Sequence, residues 1–590
     1  MKLPSIPYLA NVFSQVLRRF PFVMLAAFTG CIAAMMLIDL SYGDKNSLLP
    51  KILLTAALGL PTLLSAALAA EKWQWAGLLK WAPTMAALAL LALYFSTFSL
   101  NAGEPGTTDM IRFTGLNLFA HLLVAYLPYL DNTPVEDFWE YNKRLFGNFV
   151  VGVLYSIVIF GGLSIAILAV DNLFDLHISG DVYAHLFVLV AGIFNTAFFL
   201  ANFPAEFSSI AAPASPYTTA IKNLSKFILI PIVGIYFLIL YAYSVKILAT
   251  WELPHGWVSS LVLGFSVAGI FTYLLNYLLV KYDANALVKG FRKWFFYVLL
   301  PMVGLLFVAI GKRLSDYGVT EERFVVATAG VWLLLMSLYF IFSKKDNIKF
   351  IPISLSVFAL LTVLGPFSAF RISGHSQADR LKMILEKNAM IKDGKAVPAK
   401  DTLAERDAES IRSILYYMRE HEHFDNVKDL FPGVLDTIQY ADWNAVESLI
   451  QELNVGYSSQ SSMNCGYNYQ ITTGINVDGF EKLWQVQAFI QPNREAGYSG
   501  FTISEDGSAL DYYENGEKKG SVDLQTQVKN LSDKYTCYGM IQNTEDVTLE
   551  GKSEGYQFKL VMESLEFRKE SRIKITGWSG VVLVKELQNE

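Results

Sequence analysis

Eleven runs of about twenty mostly apolar residues fill the first 370 positions, and no other feature limits the fold so strongly. They fall at 20–40, 48–70, 77–100, 110–130, 148–170, 181–203, 226–249, 256–280, 293–310, 324–342 and 350–370. A bilayer core is roughly 30 Å thick, so each run is long enough to cross it as a helix. Gly and Pro within the runs are tolerable, because neighbouring helices can re-satisfy the backbone. The first run contains Phe28-Thr29-Gly30-Cys31, which resembles a lipoprotein signal. Its apolar stretch continues past the cysteine through Ile38, so a retained spanning helix is expected.

Composition agrees. Of 590 residues, 53% are apolar and only 17% are charged, against about 25% charged in soluble domains. The aromatic share of 14% excludes a disordered chain. Charge divides unevenly: residues 1–370 carry 23 Lys and Arg against 19 Asp and Glu, while 371–590 carry 24 against 34. The expected organisation is a membrane domain, 1–370, followed by a polar, acidic domain, 371–590.

Topology follows from the Lys and Arg bias of short loops. With a cytoplasmic N-terminus, 16 of the 23 basic residues fall on the inner side, among them Arg18, Arg19, Lys72, Lys143, Arg144, Lys293 and Lys349. Eleven crossings then place the second domain outside the membrane. One crossing more or fewer would reverse that side. Between runs four and five, Thr133-Pro134 followed by Phe138, Trp139, Tyr141 and Phe146 predicts a short amphipathic helix lying on the membrane face.

The second domain changes period. Helical spacing occurs at 377–390, 402–421 and 443–453. Alternation then predicts strands at 467–473, 483–490, 500–504, 509–513, 521–524, 556–562, 572–576 and 581–587, with Asp506-Gly507 and Asn515-Gly516 as turns. The expected fold class is therefore an all-α polytopic bundle of about 11 spans, followed by an α+β domain with an antiparallel sheet. Cys465 and Cys537 both lie in the strand-rich sequence. They either form a disulfide, as an oxidising compartment permits, or stand as unrelated buried thiols.

Three segments carry a family resemblance. The first holds Tyr243, Lys246, Pro254, Gly256, Trp257 and Ser259. The second holds Gly365, Pro366, Ser368, Arg371, Ser373, Gln377 and Arg380. The third is Ile411-Arg412-Ser413-Ile414-Leu415-Tyr416-Tyr417-Met418. Together they resemble DUF4153, a bacterial polytopic membrane-protein family of unknown function, over roughly 20–430. The resemblance implies a multi-pass inner-membrane protein with an appended domain, and it brings no catalytic residue.

Chemistry-bearing motifs are sparse. There is no G-x-x-x-x-G-K-[ST], H-E-x-x-H or G-x-S-x-G. His421-Glu422-His423 is too short to set both imidazoles on one helical face, so no metal, cofactor or catalytic residue is expected. Polar groups inside spans are the remaining candidates. Arg112, Asn117 and His121 share one run, and Asn117 and His121 are spaced to share a face; Asn195 lies in another. They either relay protons or hydrogen-bond neighbouring helices. Lys246 either snorkels to the interface or meets an anionic headgroup. Arg371, Gln377 and Arg380 either bind lipid phosphate or fix the angle of the second domain.

Three functions remain open. The first is a non-catalytic envelope scaffold or sensor whose outer domain binds a partner. The second is a transporter or lipid-handling permease. The third is an enzyme on lipid-linked substrates, for which Asp39 and Asp44 are the acids to suspect. Expected partners are the bilayer and an envelope protein or lipid, not nucleic acid.

Overall fold

The computed structural model describes residues 6–40, 48–98, 105–204, 219–250, 257–282, 285–343, 345–401, 403–432, 443–455, 463–470, 474–489, 498–535, 541, 543–553, 555–569 and 573–587. An amphipathic helix α1 (Ile6–Arg19) opens the chain. Ten helices long and apolar enough to cross a membrane follow among the described residues. They are α2 (Pro21–Asp39), α3 (Leu49–Lys72), α4 (Gly77–Ser96), α5 (Thr107–Tyr129), α6 (Val135–Phe174), α7 (Gly180–Ala201), α8 (Ile221–Ile247), α9 (Val258–Leu275), α10 (Ala286–Tyr317) and α11 (Glu321–Phe342). Helix α2 runs straight through Cys31, which is buried and free. Large apolar side chains such as Ile157, Val158, Ile165 and Leu238 are exposed on the outer surface. A water-soluble surface does not carry so much exposed aliphatic area. A bilayer accepts it without cost.

The eleventh predicted run forms only 14 helical residues, α12 (Phe350–Val363). At 1.5 Å per residue that is about 21 Å, too short by itself for the core. The chain nevertheless travels the length of α5, in the opposite direction. Lys349 Nζ donates to the carbonyls of Tyr129, Asp131 and Thr133, at 3.0, 3.3 and 2.6 Å. Midway, the hydroxyls of Tyr126 and Ser356 are 2.9 Å apart. Val363 then packs so closely on Gly115 that no side chain fits there. Finally the Arg112 guanidinium stands 5.3 Å from the ring centre of Phe370. Gly365, at φ +86°, completes the traverse with non-helical backbone.

Between runs four and five the sequence and the structure part. The aromatic segment is no separate surface helix. It is the first part of α6, one continuous helix of 40 residues. Phe138, Trp139 and Tyr141 are buried in the bundle core. Their alternation with charges reflects a packed helix in which even Glu140 is buried, held by Lys143 and Arg144.

One end of the bundle gathers its basic residues. Arg19 forms a two-pronged bond to Glu71, both distances 2.9 Å, and donates to the Phe203 and Pro204 carbonyls. Lys72 reaches Asp131 at 3.1 Å. Burial opposes ionisation of Asp131, but bonds from Thr133 and Lys72 win and hold its pKa at about 2.

The chain packs as two compact units. The first comprises Met1–Pro398 and Ser410–Leu453, and the second comprises Ala399–Glu409 and Asn454–Glu590. The charge boundary at 370 thus falls inside the first unit. Helices α13 (Ala369–Lys387) and α15 (Trp443–Glu452) belong with the bundle, as does most of α14 (Glu405–Glu420). Composition marks which residues meet water, and a collar of polar helices meets water while packing on a membrane bundle. A two-stranded hairpin, β1 (Ile391–Lys392) with β2 (Lys395–Ala396), follows α13.

The second unit is built on antiparallel sheets. Strands β3 (Met463–Asn468), β4 (Lys482–Phe489), β8 (Thr548–Ser553), β9 (Tyr556–Lys569) and β10 (Ile573–Glu586) form one sheet in the order β3-β9-β10-β4, with β8 also pairing β9. Strands β5 (Gly500–Ile503), β6 (Ala509–Glu514) and β7 (Glu517–Asp523) form the other. Asn515 and Gly516 both take positive φ, the turn that Asn-Gly prefers between β6 and β7. The two predicted segments 572–576 and 581–587 are one strand, β10, interrupted by bulges. Gly580 sits at a bulge with no room for a Cβ against the Val561 carbonyl. Trp578, Phe558, Phe567 and Tyr512 fill the core.

Candidate functional site

Among the described residues, the most deeply buried charged group of the bundle unit is Glu321, the first residue of α11, at 0% exposure. It lies at the end of the bundle opposite Arg19 and Lys349. A carboxylate taken out of water needs strong partners. Its own helix supplies some, because unpaired N–H groups at a helix start favour negative charge. Three side chains supply the rest. The Oε1 atom is 2.6 Å from His423 Nε2, and Oε2 accepts from the Tyr417 hydroxyl at 2.5 Å. His421 Nδ1 lies 3.2 Å from Oε2, close enough to attract but off the line of a good hydrogen bond.

Local structure explains how two histidines so close in sequence meet one carboxylate. Helix α14 ends at Glu420, and the next residues form a Schellman cap. The His423 N–H donates to the Met418 carbonyl at 2.7 Å, and the Glu422 N–H to that of Arg419 at 3.3 Å. Glu422 takes φ +58°, the left-handed conformation usually left to glycine. That reversal swings His423 back beside His421, whose ring stacks on Tyr417 at 4.4 Å. Gly374 of α13 makes room, since a Cβ there would press on His423 and Asn426. Burial pushes the His421 pKa down, against the pull of Glu321 and Glu420. Burial also pushes the Tyr417 phenol up, and the Glu321 charge adds to it.

A second set of bonds holds the loop before Glu321. Gln377 Nε2 donates to the Tyr317 and Val319 carbonyls at 3.1 and 2.9 Å. Arg380 donates to the Asp316 carbonyl at 2.6 Å, and Ser376 accepts from the Val319 N–H at 3.0 Å. Ser373 is buried beside Tyr417. On the other flank Thr108 donates to the His421 carbonyl at 3.1 Å. The arrangement is a polar latch: it ties α13 and the end of α14 to the heads of α5 and α11. Among the described residues, no group of three or more His, Cys, Asp or Glu has the arrangement of a metal site.

The sequence candidates are dispersed. His121 is exposed, and its ring bonds the backbone carbonyl of Asn117 at 2.9 Å rather than a neighbouring helix. Asn117 and Asn195 each bury a side-chain oxygen without a partner, Asn195 against Gly152. Arg112 pairs loosely with Asp109 at 3.4 Å. Lys246 is exposed near the end of α8. Tyr243 packs on the bundle core, Ser259 is buried, and the Trp257 backbone opens a helix. Pro254 and Gly256 lie outside the described residues. Gly365 and Pro366 precede Ser368, which caps α13, and Arg371 is exposed on it. Cys465 is disulfide-bonded, and Cys537, the cysteine proposed to pair with it, lies outside the described residues.

Glu321 escaped the sequence reading because it stands at the edge of an apolar run, where a charge is ordinary. No local spacing connects it with His423, 102 residues away.

Ten long apolar helices, a traversing α12 and a helical collar define a multi-pass membrane protein with an appended antiparallel-sheet unit. The chain belongs to the DUF4153 family, a domain of unknown function, whose model matches residues 14–391. It is also similar to "Uncharacterized protein PM1469" of Pasteurella multocida (strain Pm70), at 26% identity over 290 residues. That match covers 45% of this chain and 48% of the relative, so the chain spans about half the length of the curated relative it matches. No solved structure matches.

Proposed function

We propose that this protein is a non-catalytic scaffold or sensor of the bacterial inner membrane. Its N-terminus is cytoplasmic, and its sheet unit lies outside and binds an envelope partner. The observation that carries the reading is the latch on Glu321. It is closed by residues 417–423, which seven residues, 410–416, separate from the segment 399–409 that belongs to the sheet unit. A bond network of this kind suits a protein that transmits or resists force at the head of its bundle. The loop charges support the orientation, since the end bearing Arg19, Lys72 and Lys349 is the basic one. The disulfide at Cys465 supports an oxidising compartment, and Cys537 is its proposed partner.

Two experiments test this. In a Cys31→Ala background, Glu505→Cys on the exposed β5–β6 turn is expected to react with a membrane-impermeant maleimide in intact cells. Lys80→Cys is expected to react only after lysis. The inverse pattern refutes the orientation. In a deletion strain under envelope stress, a chain lacking 456–590 is expected to insert but not complement. Asn117→Ala with His121→Ala is expected to complement fully. The opposite result would favour the permease.

A further inference from the structure

The bundle holds an apolar groove of about 640 Å³, lined by none of the latch residues. That volume falls in the ordinary range for small-molecule sites, roughly 300–1,000 Å³. Helices α5, α6, α9, α11 and α12 wall it, with Leu122, Phe271, Leu333 and Leu355 among the lining side chains. Its polar atoms are already engaged. Trp139 Nε1 donates to the Leu274 carbonyl at 2.8 Å, and Trp332 Nε1 to Ser354 Oγ at 2.9 Å. Ser266 Oγ donates to Val262 at 2.7 Å, and the Asn142 amide to Ala125 and Phe138 at 3.1 and 2.9 Å. Water therefore finds little to bond, and an apolar cavity of this kind stays dry. The rim is apolar too: Leu118, Val267 and Phe146 are exposed, Val267 at 71%. The groove opens to hydrocarbon.

Its length and its charged end name the occupant. Along α9 the lining runs from Leu263 to Leu275. Twelve residues of helix rise about 18 Å, a little over half of a roughly 30 Å hydrocarbon core. The groove therefore serves one leaflet. At its basic end Glu140 is shared by two cations, Lys143 Nζ at 2.6 Å and Arg144 Nε at 3.1 Å. Both cations stand at the groove's end, and the Arg144 side chain remains 43% exposed. We propose that this groove holds an acyl chain of an anionic phospholipid, drawn from the leaflet at the basic end, with its phosphate against Lys143 and Arg144.

The test uses the full-length protein, purified in detergent and examined by native mass spectrometry. Phosphatidylglycerol and phosphatidylcholine with identical acyl chains are the probes. Wild type is expected to carry one phospholipid and to prefer phosphatidylglycerol about fivefold or more, the worth of one basic residue at a membrane surface. Lys143→Gln with Arg144→Gln is expected to erase the preference while a lipid still binds. Ala125→Trp with Ser266→Leu, which fills the groove, is expected to release both lipids. Absence of a stoichiometric lipid, equal binding of the two lipids to wild type, or undiminished binding to the filled variant overturns the proposal. Should the filled variant not fold, phosphatidylglycerol with a photoreactive acyl chain decides on wild type. Labelling within 263–275 supports the site, and labelling confined to other spans overturns it.

Discussion

Removing His423 should expose how much the latch depends on Glu321. His423→Ala deletes the imidazole 2.6 Å from Oε1 and leaves that oxygen buried without its side-chain partner. Removing a partner from a buried charge costs up to about 3–5 kcal/mol, because the charge stays behind in low dielectric. Here the carboxylate keeps Tyr417 and the attraction of His421, so the expected loss is at the lower end, about 3 kcal/mol. Glu321→Gln preserves shape but weakens two charge-assisted bonds to neutral ones. At about 1 kcal/mol per bond, that costs about 2 kcal/mol. The double variant has no stranded charge. Its cost should therefore fall short of the sum of the singles by about 1–2 kcal/mol, the range expected of residues in direct contact. The assay is denaturant unfolding of the full-length protein in micelles, paired with limited proteolysis of the segment 388–432. Costs that add to within about 0.5 kcal/mol, as for independent sites, would show that Glu321 and His423 do not act together and would refute the latch.

Other consequences concern the same end of the molecule and the α5–α12 contact. Glu422→Gly relieves a left-handed residue at the cap and should raise stability by about 0.5–1 kcal/mol, read as a higher melting temperature. His421 has a folded pKa below its ordinary 6.5, so the folded state binds fewer protons than the unfolded one. Its contribution is intact above about pH 6.5 and is lost as pH falls through that value toward the folded pKa. Glu321, Glu420 and Glu322 pull the ring toward charge, and His423 opposes them. Proteolysis of the segment 388–432 should accelerate in that window, and His421→Gln should flatten the profile. Gly115→Val overpacks against Val363 and should cost about 1–3 kcal/mol, measured by unfolding in micelles.

The parts legible in the sequence were those set by length and period. Runs of twenty apolar residues have one stable solution in a bilayer, so α2 through α11 fall close to the predicted positions. The Asn515-Gly516 turn was legible because its backbone geometry admits few other residues. Strand β8, with its Gly551 and charged Glu550 and Lys552, shows no clean alternation and was missed. The amphipathic start of α6 was misjudged for a different reason. Alternating aromatics and charges describe two faces of a helix, but not whether the aromatic face meets lipid or protein. The latch was illegible because its carboxylate and its imidazoles lie on separate segments, and because a cap with Glu rather than Gly gives no sign of a reversal at position 422.

Helix α12 decides which end of the bundle the collar leaves from. A count of long apolar helices stops at ten and omits it. Taken alone, ten crossings would return the chain to the end where it entered. The bonds along α5 argue otherwise, because Lys349 sits beside Tyr129 and Thr133, whereas Phe370 sits beside Arg112. Tyr129 and Arg112 are 17 residues apart, so these contacts mark opposite ends of one spanning helix. After Val363 the chain leaves the helix through a turn, in which the Ser368 N–H donates to the Gly365 carbonyl at 3.2 Å, and reaches Phe370 beside Arg112. The segment that carries α13 and the latch therefore emerges opposite the basic end, alongside the heads of α5 and α11, where Glu321 is held.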